Sequence, residues 1–400
     1  MITNSSSSGA ETIQQNHLGV LDGLRGVMCL WVLVGHACGL TSMTSIPILR
    51  SPHYAVDGFM MLSGFLMTYH YALRSEKEPW ARNTTWIAFY IRRYFRIAPL
   101  YYLLLIPAFV FNQTFIRWRT ALLDPSLHMP EAPPFSLHNL IYHLSFLFGL
   151  WPKYHASLIL PDWSLSLEMQ FYLMFPLLML LAARVGWVTF SIAASAIWLL
   201  CTSHFLGLTD RFVQPSPLPL SLLWFVIGML WAASYLDANK KRSRGMILFA
   251  CSLSLLSRDP HDVVLVGSFA WVLFSKGWLS MGKSASIVRM ALSGRVGKFL
   301  ADASYSVYLL HLLILTPIAY LLTTRFQLNV GARFSIALAT TATISYGIAR
   351  PLALIEERGI SLGRRFSKMV LARQERQPRH KAQTASNLGP PALAWPRGKE

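Results

Sequence analysis

Charge is scarce in this 400-residue chain: Asp, Glu, Lys and Arg make up 14% of it, against roughly 25% in an ordinary soluble domain. The length would allow two or three soluble domains, but no polar stretch is long enough to be one. The bulk therefore reads as one membrane domain. Cysteine is also rare. Cys29, Cys38, Cys201 and Cys251 all lie in or beside apolar runs, without ligand spacing or a disulfide framework, so zinc is not expected and no metal site is assigned. Other signatures are missing. There is no Walker A sequence, no Gly-rich dinucleotide fingerprint, no His-Glu-X-X-His and no Gly-X-Ser-X-Gly elbow. No nucleic-acid module accompanies the basic balance, so no nucleic-acid partner is expected. A basic n-region and cleavage site are absent before the first apolar run, so that run is expected to stay as a helix.

What is present is apolar: 54% of residues are hydrophobic and mean hydropathy is +0.41. A spanning helix needs about 20 mostly apolar residues. Candidate spans lie near 18–40, 55–73, 97–113, 163–184, 187–204, 218–236, 262–280, 299–323 and 331–356, with a shorter one at 245–257. The segment 138–151 is apolar too, but short and dotted with His and Asn. Net charge of +18 decides its fate. If 138–151 does not span, the chain has about ten helices and both termini in the cytoplasm. The cytoplasmic loops and tail then hold 26 basic residues against seven opposite, as the positive-inside rule requires. If it spans, Lys240 to Arg244 moves outside. The segment 138–151 is therefore predicted to be interfacial or re-entrant. The expected fold is all-α, a polytopic transmembrane helical bundle: a polar N-terminal tail over 1–17, a membrane domain over 18–356, and a basic tail over 357–400, disordered or lying on the anionic inner leaflet.

Ionisable groups inside a membrane are costly, and each is a functional candidate. Arg25 and His36 are eleven residues apart, which at 100° per residue puts both on one helix face, roughly 16 Å apart along the axis. Asp22 sits near the inner boundary, to cap or to pair with Arg25. Asp57 opens the second span, as a cap or a cavity residue. Arg92, Arg93 and Arg96 cluster at the entry to the third, where they anchor the helix or grip phosphate with their guanidinium forks. Glu168 lies about one and a half turns inside the fourth, and needs a partner such as His36 or His311. Ser304, Tyr308 and His311 recur at i, i+4 and i+7, with Tyr305 beside them, forming a polar stripe that lines a cavity or bonds between helices.

In order along the chain, these pieces are Leu21-Asp22-Gly23-Leu24-Arg25-Gly26 with His36, Val56-Asp57 with Leu62-Ser63-Gly64-Phe65-Leu66, and Arg92-Arg93 with Arg96-Ile97, Pro99 and Tyr101. Trp163-Ser164-Leu165-Ser166-Leu167-Glu168 with Phe171-Tyr172 and Pro176, and Ser304-Tyr305-Ser306-Val307-Tyr308-Leu309 with His311, complete the set. Together they resemble the acyltransferase-3 family of integral membrane O-acyltransferases. The resemblance runs over about residues 18–356. It implies a ten-helix domain in a bacterial inner membrane that takes an acyl group from acyl-CoA, acetyl-CoA above all, as co-substrate. It implies a carbohydrate or glycolipid acceptor: lipopolysaccharide, exopolysaccharide, peptidoglycan or a nodulation factor, with macrolides in some relatives. Carried over, Arg25 and His36 are needed for activity, Arg92, Arg93 and Arg96 match the cytoplasmic arginine motif, and Glu168 and His311 match later polar positions. The chain departs from the family at Ala55, Gly58 and Met60, and reads Ala349-Arg350-Pro351 where relatives often carry Glu-Arg-Pro. Glu356 or Glu357 would then supply the missing carboxylate. With no hydrolase-like domain after the helices, acceptor chemistry is expected in the membrane domain.

Transfer from a thioester to an alcohol near neutral pH needs a base. His36 is the expected base, Glu168 its expected support, Arg25 a stabiliser of the oxyanion or a phosphate ligand, and the three arginines a CoA phosphate site. Two rivals remain: a glycolipid or polysaccharide transporter or flippase, and a membrane scaffold. Neither would release CoA.

Overall fold

A computed structural model describes residues 5–123, 136–274 and 282–375. Among them the secondary structure is helical throughout. The helices are α1 (Ser5–Thr41), α2 (His53–Arg74), α3 (Asn83–Val110), α4 (Asn112–Leu122), α5 (Leu137–Leu144), α6 (Trp163–Val185) and α7 (Trp187–Thr202). Then come α8 (Leu208–Arg211), α9 (Leu218–Leu236), α10 (Lys240–Leu253), α11 (Pro260–Phe274), α12 (Gly282–Ser293), α13 (Arg295–Arg325) and α14 (Val330–Glu375). Four helical stretches are long and apolar enough to cross a membrane: Gly19–Thr41, Trp163–Val185, Leu218–Leu236 and Arg295–Arg325. A fifth is counted if α3 and α4 form one bent span. The protein is thus an all-α, multi-pass integral membrane protein. Ten spans are not reached by this measure. The helices α2 and α14 are long but too polar. At 16, 14 and 15 residues, α7, α10 and α11 rise only about 24, 21 and 22 Å, short of a hydrocarbon core of roughly 30 Å.

The chain divides into two compact units. The first takes residues 1–62, 111–129 and 254–353. Its centre is the contact of α1 with α13, and small residues make that contact close. A Cβ on Gly26 would stand 2.6 Å from Leu300 Cβ on α13, and one on Gly23 would stand 2.2 Å from the Leu292 carbonyl oxygen on the neighbouring α12. Side chains there would force the helices apart. The two helices run parallel, since Cys29 meets Ser304 and His36 meets His311, a step of seven residues on each.

The second unit takes residues 63–110, 130–253 and 354–400. Its most buried helix is α9, apolar on all sides, and α2 approaches it where Gly64 faces Phe225. The turn between α6 and α7 is a single residue, Gly186 at φ +86°, a left-handed conformation that a side chain disfavours. The segment 138–151 forms α5 and a 3-10 turn, Leu147–Leu150, with Phe146 left-handed between them. Eight helical residues rise about 12 Å, which cannot cross a bilayer.

Both tails are helical in part. Helix α1 begins at Ser5 and takes in most of the 1–17 segment, whose Ala10-Glu11 and Gln14-Gln15 are good helix formers. At the other end α14 continues to Glu375, so 357–375 is helix rather than a disordered tail. The reason is a docking stripe. Gly359, Gly363 and Phe366 recur at i, i+4 and i+7, the two glycines lie against Phe95, and the Phe366 and Phe95 rings are 5.5 Å apart. The remainder of the tail, 376–400, lies outside the described residues.

Candidate active site

In the first unit, Arg25 and His36 share a face of α1 and both turn to α13. Arg25 Nε donates to Ser304 Oγ at 3.2 Å, Nη2 approaches the Ala301 carbonyl at 3.5 Å, and Nη2 pairs with Asp22 at 3.1 Å. Ser304 lies level with Cys29, whose thiol donates to its carbonyl at 3.2 Å. The Ser304 side chain leans back toward the helix N-terminus, as helical side chains do, and so reaches Arg25 one turn earlier. Two α-turns further along, His36 Nδ1 is 3.0 Å from His311 Nε2. His311 Nδ1 in turn faces the Tyr308 carbonyl at 2.7 Å and the Val307 carbonyl at 3.2 Å. His311 is 1% exposed, whereas His36 is only partly covered, so His36 stands in front and His311 behind. Tyr308 is buried, its ring 6.2 Å from the His311 ring and 5.7 Å from Phe59. Tyr305 is half-buried.

Asp57 is the fifth residue of α2, past the first turn, which removes the capping reading. Its charge is felt with those of Asp259 and Asp262. Asp259 sits in the loop before α11 and accepts from the Tyr54 hydroxyl at 2.7 Å and from both the backbone and the ring N–H of His261 at 2.9 Å. The Tyr54 hydroxyl first, then His261, holds the Asp259 carboxyl below the usual carboxylate range against the opposing pull of burial.

The remaining predicted residues fall in the second unit. Arg92 pairs with Glu78 and donates to the Tyr71 hydroxyl at 3.1 and 3.0 Å, and both members of the ion pair are nearly buried. Arg93 lies over the rings of Tyr71, Phe89 and Tyr172 at 5.9, 5.8 and 5.7 Å from their centroids. Arg96 pairs with Glu356 at 2.6 Å and is 31% exposed, against 12% for Arg92. Glu356 is buried while Glu357 is exposed, so of the two carboxylates expected to compensate for Ala349, Glu356 has the basic partner. Glu168 accepts from the Tyr172 hydroxyl and, at 3.4 Å, from Ser63. Tyr172 therefore links Glu168 to Arg93. Glu168 thus bonds Tyr172 and Ser63, while the ring that meets His36 is His311.

Sequence reasoning missed three groups. Arg119, on α4, is near enough for its charge to act on the His36 ring. Glu78 precedes α3 and had no motif to mark it. The third is a buried cluster around Asp162, which accepts from Tyr101 at 3.0 Å while His143 Nε2 stands 3.6 Å away. His143 is stacked on Phe148 and its Nδ1 donates to the Asn139 carbonyl at 2.9 Å. Burial pushes the Asp162 carboxyl up to about 7 and the His143 imidazole down to about 4. Ser166, two residues before Glu168, donates to the Phe146 carbonyl at 2.6 Å and accepts from the Gly149 N–H, which fastens the α5 segment to α6.

A multi-pass helical protein with an arginine, two imidazoles and a hydroxyl spaced along the seam between two of its helices has the equipment of a membrane-embedded transferase. The chain belongs to the acyltransferase-3 family, whose acyltransferase domain matches residues 18–258. It is also 26% identical over 277 residues to the exopolysaccharide production protein ExoZ of Rhizobium meliloti (strain 1021), covering 66% of this chain and 77% of that protein. No solved structure matches. The family match ends before α11, so Ser304 and His311 join the site through their contacts with Arg25 and His36.

Proposed function

We propose that the protein transfers an acetyl group from acetyl-CoA to a hydroxyl of a carbohydrate acceptor, a cell-surface or secreted glycan. Membership of the acyltransferase-3 family supports acyl transfer and an acyl-CoA donor. The similarity to an exopolysaccharide production protein supports a glycan acceptor. The observation that carries the reading is the imidazole of His36, backed by His311 and on one helix face with the guanidinium of Arg25.

In this reading His36 takes the proton of the acceptor hydroxyl. The resulting alkoxide attacks the thioester carbonyl carbon, the C–S bond breaks, and the thiolate leaves as CoA after taking up a proton. A base so placed contributes about 10²–10⁴-fold. Arg25, about three turns from His36 along α1 and turned to Ala301 and Ser304, holds the donor at a CoA phosphate rather than at the reacting carbonyl. Asp57 and the hydroxyls of Ser304, Tyr305 and Tyr308 line the polar path. Arg96 meets a CoA phosphate with the donors that Glu356 leaves open, and Arg92 and Arg93 form the basic wall behind it. Glu168 holds Tyr172 against that wall. The topology that suits a cytoplasmic donor has ten spans in a bacterial inner membrane, with both termini cytoplasmic.

The test is CoA release by purified protein in lipid, given acetyl-CoA and a panel of glycans, with His36→Ala alongside. Acceptor-dependent release that His36→Ala abolishes while remaining folded is the expected result. No release with any of several acyl donors would turn the assignment toward a transporter.

A further inference from the structure

The contact between His36 and His311 assigns more than proximity. Carbonyl oxygens only accept hydrogen bonds, and His311 Nδ1 faces two of them, at 2.7 and 3.2 Å. His311 Nδ1 therefore carries a proton. A second proton on Nε2 would make His311 a cation on a side chain that is 1% exposed, with backbone carbonyls and a histidine as its hydrogen-bonding neighbours, which is unfavourable in an apolar bundle. Neutral His311 thus offers a lone pair at Nε2. The nitrogen 3.0 Å away, His36 Nδ1, must supply the proton between them.

We propose that His311 is a positioning residue that fixes His36 in the Nδ1–H tautomer and so leaves His36 Nε2 as the basic nitrogen. The inference rests on the reading of His36 as the base. Unconstrained neutral imidazole populates both tautomers, and only one presents a lone pair on the outward nitrogen. The relay runs from the α13 backbone carbonyls through His311 to His36. It does for His36 with a neutral acceptor what a carboxylate does elsewhere, and adds no charge to the membrane interior.

The experiment uses full-length protein in lipid, with ring-15N histidine, and reads the 15N resonances of His36, assigned by their loss in His36→Gln. Wild type should show His36 protonated on Nδ1 and bare on Nε2. In His311→Leu the Nδ1–H share should fall and Nε2–H should appear, with the Val32 carbonyl one turn back on α1 left as the ring's backbone partner. Two conservative variants separate positioning from packing. His311→Gln puts an amide near the former Nε2 and reaches His36, whereas His311→Asn reaches only the Tyr308 carbonyl. Turnover of acetyl-CoA should fall on the order of 10²–10⁴-fold in His311→Leu and His311→Asn, with KM for acetyl-CoA unchanged, and recover to within about tenfold of wild type in His311→Gln. A proton on His36 Nε2 in wild type, or a tautomer indifferent to His311→Leu, overturns the proposal. So does equal loss in the Gln and Asn variants. A tautomer that follows His311 in a protein that releases no CoA would uphold the relay and remove the acyl-transfer reading.

Discussion

Individual residues show where local arithmetic suffices. Arg25 and His36 share a face because eleven steps of 100° nearly close a circle, and the structure turns both to α13. Tyr172 was just as accessible, one turn beyond Glu168, and its hydroxyl is the carboxylate's partner. The partner of His36 was not, because 275 residues separate it from His311 and either Glu168 or His311 met the chemical need. The Asp162 cluster was hidden for the same reason: Tyr101, His143 and Asp162 come from three elements. It gives a pH prediction. Asp162 is raised to about 7, so its neutral form favours the folded state, and that contribution is present at low pH and lost as pH rises through about 7. Wild-type melting temperature should therefore fall between pH 5 and 8 by more than that of Asp162→Asn, which cannot ionise yet still accepts from Tyr101. Parallel curves would show that Asp162 does not titrate in this range.

Among elements, apolar length was a good guide where helices are buried on every side and a poor one where they are not. Helix α9 begins and ends as the hydropathy placed it, at 218–236. Helix α14 overruns its apolar part by some five turns, because glycines dock polar helix on α3, a signal that hydropathy does not carry. Glycine also yields the prediction at this scale. A Cβ at Gly64 would sit 2.1 Å from the Phe225 carbonyl oxygen, a backbone atom that cannot swing away. Gly64→Ala should cost about 1–3 kcal/mol as α2 and α9 shift to admit it, read as a lowered melting temperature in detergent. Gly39→Ala, with nothing within 4 Å, should be neutral or slightly stabilising. Equal melting temperatures for the two variants would remove close approach as the reason for Gly64.

For the whole molecule, the distribution of 36 basic residues was legible at once, since topology depends on charge between spans and not on packing. It predicts that Lys241→Cys, exposed just after the start of α10 and studied with the four native cysteines replaced, reacts with an impermeant maleimide only after cells are permeabilised. Labelling of intact cells would invert the proposed topology from α10 onward. The count of spans was less legible. Several helices are shorter than the bilayer is thick, and they require loop residues or local thinning to cross it.

The ion pair between Asp22 and Arg25 bears on how the protein is made. His36 and His311 are 275 residues apart, so at 5–20 residues per second roughly 14–55 s pass between the synthesis of one and the other. Through that interval α1 must enter the bilayer without α13, carrying an arginine near its inner end at a cost below the roughly 2.5–3.5 kcal/mol of one at mid-membrane. Asp22 lies three residues from Arg25 on the same helix and pairs with it at 3.1 Å. It therefore accompanies the guanidinium through the translocon from the start, and Ser304 takes its place beside Arg25 when the ninth apolar segment of the chain arrives.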